Sequence, residues 1–385
     1  MKRIFCLLLA LVVVGSAVPV YARSVSRDAA AAGNHLSEVI DLVMNNYVGG
    51  NVSVDELLEA AIRGMTEVLD PYSNYLSANE LEDFINFLDG RLVGIGVSME
   101  TQDDGRIKID RVFEYSPAEE AGLLAGDIFV SVNGDSVVGL SMADLRAIIL
   151  DPDTTYVYVG VERNGQVITF NITKAEFSSP TVTVRRLEAI PEAQGMASLD
   201  NFRYMRISSV GYATGEEVRN AISTMRAEGV QGIILDLRGN SGGHLDVTVD
   251  IANQLVPAGV VLQMVNRAGR RRTYSSVLQE VPFNNVVVLV NRFTASAAEV
   301  IASALQDSGA AVVIGEPTYG KGSVQSFHAI GTGGALSLTT EEYFRRGGGR
   351  INGVGVEPCI PVTRTFGTHS DNVLQAGLEV LIQRD

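Results

Sequence analysis

Three polar side chains stand out within residues 286–325, namely Ser296, Lys321 and Gln325. Residues 286–290 (VVVLV) form a continuous apolar run, which is typical of a parallel strand covered on both faces, and residues 297–305 have helical apolar spacing. Ser296 is therefore predicted to lie where a strand passes into a helix. A hydroxyl at the positive end of a helix dipole, beside backbone N–H groups that could hold an oxyanion, is well placed for attack on a carbonyl carbon.

The same residues also fit a purely structural role. Ser296 and Glu299 have the spacing of a capping box, in which each side chain satisfies a backbone N–H of the other residue. Two further motifs favour chemistry instead. A glycine-rich turn at residues 239–243 (GNSGG) follows an apolar strand, and Lys321 lies between two glycines with Gln325 four residues later.

With these motifs in this order, the sequence resembles the C-terminal processing proteases, also called tail-specific proteases, which are serine peptidases that use a serine–lysine pair. The resemblance covers nearly the whole chain after its first residues. It implies that Ser296, in the TASA motif of residues 294–297, is the nucleophile. It further implies that Lys321 is the general base and that Gln325 orients the lysine.

The implied reaction is acyl transfer from a peptide bond to water. Neutral Lys321 would accept the proton of Ser296 as the serine oxygen attacks the carbonyl carbon. The Ala297 N–H and a backbone N–H from Gly242 or Gly243 would stabilise the oxyanion. A lysine that is neutral at working pH needs a pKa below its ordinary value of about 10.4.

Residues 1–22 have the pattern of a signal peptide, with a charged start, an apolar run and a small-residue cleavage site that ends at Ala22. The apolar run is shorter than the ~20 residues that a spanning helix needs. We therefore expect export to the periplasm or cell envelope and cleavage near Ala22. A retained anchor is the alternative.

Charge and cysteine usage exclude several function classes. The formal charge is −15, and removal of Lys2 and Arg3 with the leader would make it −17, because the leader contains no acidic residue. Such a surface argues against nucleic acid as a partner. Cleavage would also remove Cys6, so that Cys359 could form no internal disulfide, and we expect Cys359 to be a small buried residue. No histidine or cysteine spacing indicates a metal site, and no cofactor is predicted.

Residues 28–90 are predicted to form a helical N-terminal region. Helical apolar spacing occurs in residues 34–48, 54–69 and 81–88, and a turn at residues 70–73 (DPYS) interrupts it. This region is expected to pack against the enzyme body or against a second subunit of a homo-oligomer. The sequence alone assigns the turn no chemistry.

Residues 91–174 change to short strands, with hairpin turns at Asn133-Gly134 and Asn164-Gly165. This succession resembles a PDZ domain in circularly permuted order. The resemblance implies that a peptide is added as a strand beside a helix, and that the loop Gly94, Ile95, Gly96 and Val97 holds the terminal carboxylate of a protein or peptide substrate. A module that serves only as a spacer is the alternative.

Residues 176–385 are predicted to form an α/β peptidase core, because apolar strands alternate with amphipathic helices along this segment. The strands are expected near residues 202–207, 232–236, 286–290 and 311–314. The helices are expected near residues 214–228, 245–256 and 297–306. The family resemblance implies the spiral fold shared with Clp-type peptidases and crotonases.

Two rival interpretations remain for the chemistry. Residues 315–321 (GEPTYGK) match most of a phosphate-binding loop, but Gly322 replaces the magnesium-binding Ser or Thr and residues 323–330 lack a helical pattern, so no nucleotide partner is predicted. His244 is the one histidine close to a catalytic motif and would either line the site or start a helix. From another class, the chain could be a non-catalytic envelope protein that binds exposed C-termini.

Overall fold

A computed structural model describes residues 27–88, 91–102, 104–151, 153–178, 180–194, 196, 199–331, 333–365 and 371–384. Its contacts divide the chain into two units, one ending at Leu69 and one beginning at Asp70. Helices and strands are numbered in chain order. The predicted signal peptide of residues 1–22 lies outside the described residues.

The first unit contains two helices, α1 (Arg27–Asn46) and α2 (Val54–Glu67). A capping box starts α2, because the Ser53 Oγ accepts from the Glu56 N–H and the Glu56 Oε2 accepts from the Ser53 N–H. Both helices leave apolar side chains exposed, among them Val39, Leu42 and Met65. Within the described ranges, no helix combines the length and the apolar character that crossing a membrane demands.

The second unit begins with a turn at residues 70–73, strand β1 (Asn74–Leu76) and helix α3 (Ala78–Leu88). The PDZ-like segment that follows has its elements in this order: β2 (Arg91–Gly94), β3 (Val97–Thr101), β4 (Ile107–Val112), α4 (Pro117–Ala121), β5 (Ile128–Val132), β6 (Asp135–Ser136), α5 (Met142–Ile149), β7 (Tyr156–Arg163), β8 (Gln166–Thr173) and β9 (Ala175–Ser178).

The PDZ-like segment folds around a sheet of order β3-β4-β5-β7-β8, in which β6 also pairs with β5, and β2 pairs with β9. Both predicted Asn-Gly turns form, and Asn133 and Asn164 adopt positive φ as two-residue hairpin loops require. Ile109, Phe129 and Leu145 are fully or almost fully buried in its own apolar core. The pairing of β9 with β2 adds strand residues up to Ser178 to this segment.

The remaining chain forms the core, with elements β10 (Val182–Arg186), β11 (Phe202–Ile207), α6 (Thr214–Ala227), β12 (Gly232–Asp236), α7 (Leu245–Leu255), β13 (Gly259–Asn266), β14 (Arg271–Ser276), β15 (Asn285–Val290), α8 (Ala297–Asp307), β16 (Ala311–Gly315), β17 (Ser323–Ala329), β18 (Ala335–Phe344), β19 (Ile360–Pro361) and α9 (Asn372–Gln383). Short 3₁₀ turns occupy Leu187–Ala189 and Pro191–Ala193.

The main sheet has the order β10-β11-β12-β15-β16-β19, and its strands from β11 onward are parallel. Side chains alternate between two apolar layers. Ile233 and Leu235 pack into the layer that contains α6, α7 and α8, whereas Ile234 packs into the layer that contains α9. Burial on both faces explains the continuous apolar runs of the central strands.

A second, antiparallel sheet has the order β1-β18-β13-β14, with β17 paired to β18. Its strand β1 comes from the region predicted to be helical, and Asn74 lies opposite Ser337. The turn at residues 70–73 therefore reaches the peptidase core. Local spacing could not reveal this pairing, because the two strands are more than 250 residues apart in the chain.

Candidate active site

Three neighbouring parallel strands deliver the candidate residues to one edge of the main sheet. The glycine-rich turn follows β12, the Ser296 turn follows β15, and the Lys321 loop follows β16. Because the carboxyl ends of parallel strands meet at the same edge, segments separated by tens of residues become neighbours there. This edge is the usual position of a site in an open α/β sheet.

Ser296 lies at the sharp turn between β15 and α8, where it is the residue that caps the helix. Its backbone has φ 55° and ψ −119°, a conformation that costs a non-glycine residue roughly 1–3 kcal/mol. The serine is 8 % exposed. A strained serine between a strand and a helix is the geometry of a nucleophile elbow, which directs the hydroxyl away from the sheet.

The glycine-rich turn packs directly against this serine. A Cβ built on Gly242 would come within 2.8 Å of the Ser296 Cβ and 2.9 Å of the Ala297 nitrogen, so only glycine fits. Buried Asn240 fixes the turn, because its carbonyl oxygen accepts from the Ala295 N–H and its Oδ1 accepts from the Gly242 N–H.

The candidate oxyanion donors differ in availability. The Gly242 N–H is already bonded to Asn240 at 2.8 Å. The hydrogen bonds of the described residues include none donated by the N–H of Gly243 or Ala297. Of the two glycines predicted from sequence, Gly243 is thus the one with a donor to offer.

Glu299 ties the serine turn to the lysine loop. It is fully buried, and its Oε2 accepts from the backbone N–H of Ser296 at 2.8 Å and of Lys321 at 2.9 Å. Its Oε1 accepts from the Thr318 hydroxyl and from the Gly320 N–H. The capping box expected from sequence is present, but the same carboxylate also holds a loop that lies about twenty residues further along the chain.

Lys321 is half-buried in this loop. Burial lowers its pKa, and the negative charges of Asp70 and Glu299 oppose that effect only in part. The Lys321 Nζ lies 4.9 Å from the centre of the Tyr72 ring, within the range of a cation–π contact. Among the hydrogen bonds of the described residues, none joins the Lys321 amine to the hydroxyl of Ser296 or to Gln325.

The Ser296 hydroxyl instead has a neighbour that the sequence did not indicate. Burial raises the pKa of Tyr343 to about 12, and the nearby Ser296 hydroxyl opposes this increase. Tyr343 lies in β18, and its backbone N–H donates to the Gly322 carbonyl oxygen at 2.7 Å. The antiparallel sheet therefore supplies one wall around the serine.

Gln325 is held by a network that also fixes the turn at residues 70–73. Its Nε2 donates to the hydroxyls of Ser323 and Thr339, and the Thr339 hydroxyl donates to the Asp70 carboxylate at 2.9 Å. The Ser73 hydroxyl also donates to Asp70 and accepts from the Thr339 N–H.

Asp70 and Tyr72 are thus site residues that sequence reasoning missed. The DPYS motif was visible, but nothing local showed what it contacts.

The other predicted residues lie as follows. Gly94 ends β2, Ile95 and Gly96 lie between β2 and β3, and all three residues are buried. The carbonyl oxygens of Ile95 and Gly96 accept from the Ala118 and Phe113 N–H groups, respectively. Both glycines have positive φ, and Val97 begins β3. The loop therefore adjoins the free edge of β3, where an added strand would lie.

The structure also gives the positions of His244 and Cys359. His244 caps α7 and stacks on Tyr212, with ring centres 3.9 Å apart. Cys359 is exposed, so the expectation that it would be buried was wrong. It lies in the segment before β19, where the Gln306 amide donates to its sulfur at 3.3 Å.

The segment after Lys321 is strand β17. A phosphate-binding loop needs a helix N-terminus at this point, and the strand cannot supply one. The loop that contains Lys321 leads from β16 of the main sheet to β17 of the antiparallel sheet.

Comparison with known proteins agrees with this arrangement. The model of peptidase family S41 matches residues 201–362, a PDZ model matches residues 109–163, and the model of the N-terminal domain of the activating protease CtpB matches residues 20–80. The carboxy-terminal processing protease CtpB of Bacillus subtilis is 31 % identical over 352 residues, which cover 90 % of this chain and 71 % of CtpB. CtpA of the same organism is 30 % identical, with 80 % of this chain and 64 % of CtpA covered.

Solved structures give the same result. The photosystem II D1 C-terminal processing protease matches with a TM-score of 0.56 and 27 % identity over 85 % of this chain and 92 % of that one. A protein of the S41 type from Bacteroides fragilis matches with a TM-score of 0.60 over 90 % and 97 %, and its 18 % identity supports the fold alone.

Proposed function

The chain belongs to the carboxy-terminal processing proteases of peptidase family S41 and is a serine-type peptidase, and we propose that it cleaves peptide bonds near protein C-termini with Ser296 as nucleophile and Lys321 as general base. One observation carries the assignment of residues. Glu299 joins the backbone of a strained serine directly to the backbone of a half-buried lysine whose pKa is lowered.

The proposed reaction begins with proton transfer. Neutral Lys321 accepts the Ser296 proton as the serine oxygen attacks the carbonyl carbon, and the N–H groups of Ala297 and Gly243 hold the oxyanion. The amine leaves with the proton from Lys321, and an acyl-serine remains. Water then attacks this ester, and Lys321 accepts a proton from that water. Lys321 returns the proton to the Ser296 oxygen as the bond to the acyl group breaks, and the acid product departs.

The lysine must approach the serine for this step. Its amine lies beside Tyr72, so we propose that substrate binding draws it away from the ring toward the Ser296 hydroxyl. Gln325 is proposed to guide this movement, since the hydroxyls of Ser323 and Thr339 fix its amide nitrogen and thereby orient its oxygen. A loop held by Glu299 keeps the Lys321 backbone in place meanwhile.

The remaining proposals concern substrate and location. The loop at Gly94, Ile95, Gly96 and Val97 is proposed to hold the C-terminus of an exported protein substrate. Export is proposed to be followed by removal of residues 1–22, which mass determination of the protein isolated from cells would check. The exposed apolar side chains of α1 and α2 are proposed to contact a second subunit.

The assignment of the nucleophile is tested by Ser296→Ala. We expect complete loss of cleavage of an unfolded protein substrate, because the attacking oxygen is gone, with a stability loss of ~1 kcal/mol from the weakened helix cap. Ser303→Ala, a buried serine of the same helix, is the matched control and should retain activity. Cleavage at the wild-type rate by the Ser296 variant would refute the assignment. Absence of cleavage by the wild type, with peptide binding retained, would favour the non-catalytic alternative.

A further inference from the structure

A cleft of about 280 Å³ separates the PDZ-like segment from the peptidase core. One wall is the end of β4 and the following turn, including Arg111 and Phe113, and the opposite wall includes Arg206 of β11. Gly239 and Ser241 of the glycine-rich turn close one end. Its volume is near the lower limit of roughly 300 Å³ for ligand pockets, which suits part of an extended chain.

The cleft lies between the two sites already described. On the PDZ side, the Phe113 N–H donates to the carbonyl oxygen of Gly96 in the proposed carboxylate loop. On the peptidase side, Ser241 immediately precedes Gly242, which packs on Ser296. The cleft therefore adjoins both the proposed carboxylate loop and the turn that packs on the serine.

Arg111 carries a positive charge into the cleft without a partner carboxylate. Within the described part of the chain, it forms no ion pair, and its guanidinium stacks at 4.4 Å from the centre of the Phe113 ring. Burial and the charge of Arg206 lower the pKa of Arg111, and nearby Asp110 offsets this only in part. Arg111 and Arg206 thus line one cleft, and each positive charge disfavours the other there.

The other charges around the cleft are already engaged. Arg185 on the rim pairs with Glu114 at 3.3 Å. The buried carboxylate of Asp236 accepts from the Tyr204 hydroxyl and pairs with Arg238. Arg238 also pairs with Asp371. Among the hydrogen bonds of the described residues, the Arg206 guanidinium donates one, at 3.4 Å, to the Arg238 carbonyl oxygen. Positive potential therefore remains in the cleft of a protein whose formal charge is −15.

We propose that Arg111 and Arg206 bind a carboxylate of the substrate, carried by an acidic side chain or by the chain terminus within a few residues of the scissile bond. A guanidinium binds a carboxylate through two parallel hydrogen bonds, and the incoming negative charge relieves the repulsion between the two arginines. Because Ser241 lines the cleft and the next residue packs on Ser296, a carboxylate bound in the cleft would lie within a few residues of the scissile bond. The inference rests on the proposed peptidase function and adds a specificity for acidic substrates.

The test uses the full-length protein and fluorogenic peptides built on a bond that it cleaves in an unfolded protein. One set moves a single glutamate through the positions on each side of that bond, with glutamine twins and amidated ends. A second pair has a free or an amidated terminus and no acidic side chain. The first set reports a side-chain carboxylate, and the second reports the chain terminus.

For the wild type, we expect kcat/KM to be at least about tenfold higher for one carboxylate peptide than for its neutral twin. In Arg111→Gln this ratio should fall to about twofold or less, and Arg206→Gln should also lower it. Arg219→Gln, which removes an exposed guanidinium paired with Asp250, is the matched control and should keep the wild-type ratio.

Thermal melts establish that the variants are folded. If Arg111→Gln does not fold, Arg111→Lys takes its place, because lysine keeps the charge but lacks the two parallel donors and should still lower the ratio. A wild-type ratio near one, or an unchanged ratio in both arginine variants, overturns the proposal. The proposed function fails separately, if the wild type and Ser296→Ala cleave the neutral peptides equally.

Discussion

Lys321 is the residue whose surroundings act on its charge in opposite directions. Burial favours the neutral amine, whereas the carboxylates of Asp70 and Glu299 and the ring of Tyr72 favour the ammonium ion. Burial is the largest of these effects, so the pKa is lowered. A half-buried lysine beside two acidic residues can thus serve as a base and still be drawn to a fixed position when it is charged.

A pH profile tests the role of Lys321. Because its pKa is lowered in the folded protein, the neutral base becomes populated at a lower pH than for an ordinary lysine, and kcat/KM should rise with pH as the amine loses its proton. Lys321→Arg should be folded and inactive, since a guanidinium stays protonated throughout this range.

The control for that variant is Lys174→Arg, which makes the same change at a lysine whose amine donates to the Asp151 carbonyl oxygen and to Thr154 in the PDZ-like segment. It should cleave normally. Substantial cleavage by Lys321→Arg would leave Ser296 without its proposed base, and His244 would be the next candidate.

At the scale of elements, helix α8 organises the site more than any other segment. Its first turn supplies Ser296, Ala297 and Glu299, and its buried carboxylate fixes the loop between β16 and β17. Burial raises the pKa of Glu299, and the hydrogen bonds that it accepts oppose this. All four partners are donors, which is the environment of an ionised carboxylate, because this group only accepts.

Glu299→Gln should therefore be destabilising although it is nearly isosteric. Whichever oxygen becomes the amide nitrogen, two donors lose their acceptor, and each such loss in a buried site costs about 1–3 kcal/mol. We expect a loss of roughly 2–6 kcal/mol in the free energy of unfolding, measured by urea titration.

Activity distinguishes positioning from stability in this variant. Well below its melting temperature, Glu299→Gln should show a lower kcat with little change in KM, because the lysine loop moves relative to the serine. Glu357→Gln, at an exposed glutamate, is the control and should match the wild type. Unaltered stability and kcat in Glu299→Gln would mean that the three hydrogen bonds from Glu299 to the loop do not hold it.

At the scale of the molecule, the PDZ-like segment and the peptidase core belong to one compact unit. The loop before β3 is linked to the cleft through the Phe113 N–H, and the glycine-rich turn that packs on Ser296 lines the same cleft. A substrate could thus be held by its terminus at a distance from the bond that is cut. Such tethering raises the effective concentration of the bond at the serine.

Binding of the terminus can be measured without cleavage in the full chain carrying Ser296→Ala. A peptide with a free apolar C-terminus should bind more tightly than its amidated twin, because amidation removes the charge that the N–H groups of the loop at residues 94–97 would hold. The difference should persist when Arg111→Gln is added, which separates this loop from the cleft. Equal affinities for the two peptides in a fluorescence titration would show that the loop does not recognise a carboxylate.

The sequence by itself determined the features that depend on near neighbours in the chain. Apolar periodicity predicted four strands and three helices of the core within a residue or two, namely β11, β12, β15, β16, α6, α7 and α8, and the two Asn-Gly pairs predicted hairpins that form with positive φ. These features are legible because turns, caps and amphipathic faces are set by residues a few positions apart. The motifs around Ser296 and Lys321 were sufficient to indicate the family, which the relatives then showed.

Only the tertiary structure decided how distant segments combine. Sheet pairing places the turn at residues 70–73 against Thr339, and the parallel register places Glu299 beside the Lys321 loop. The packing of the PDZ-like segment on the peptidase core brings Arg111 and Arg206 into one cleft. The exposure of Cys359 was also decided by the tertiary structure, because the type of a residue does not show which neighbours cover it. Contacts of this kind depend on which strands pair and which faces pack, and that choice comes from burying the apolar surface of the whole chain at once.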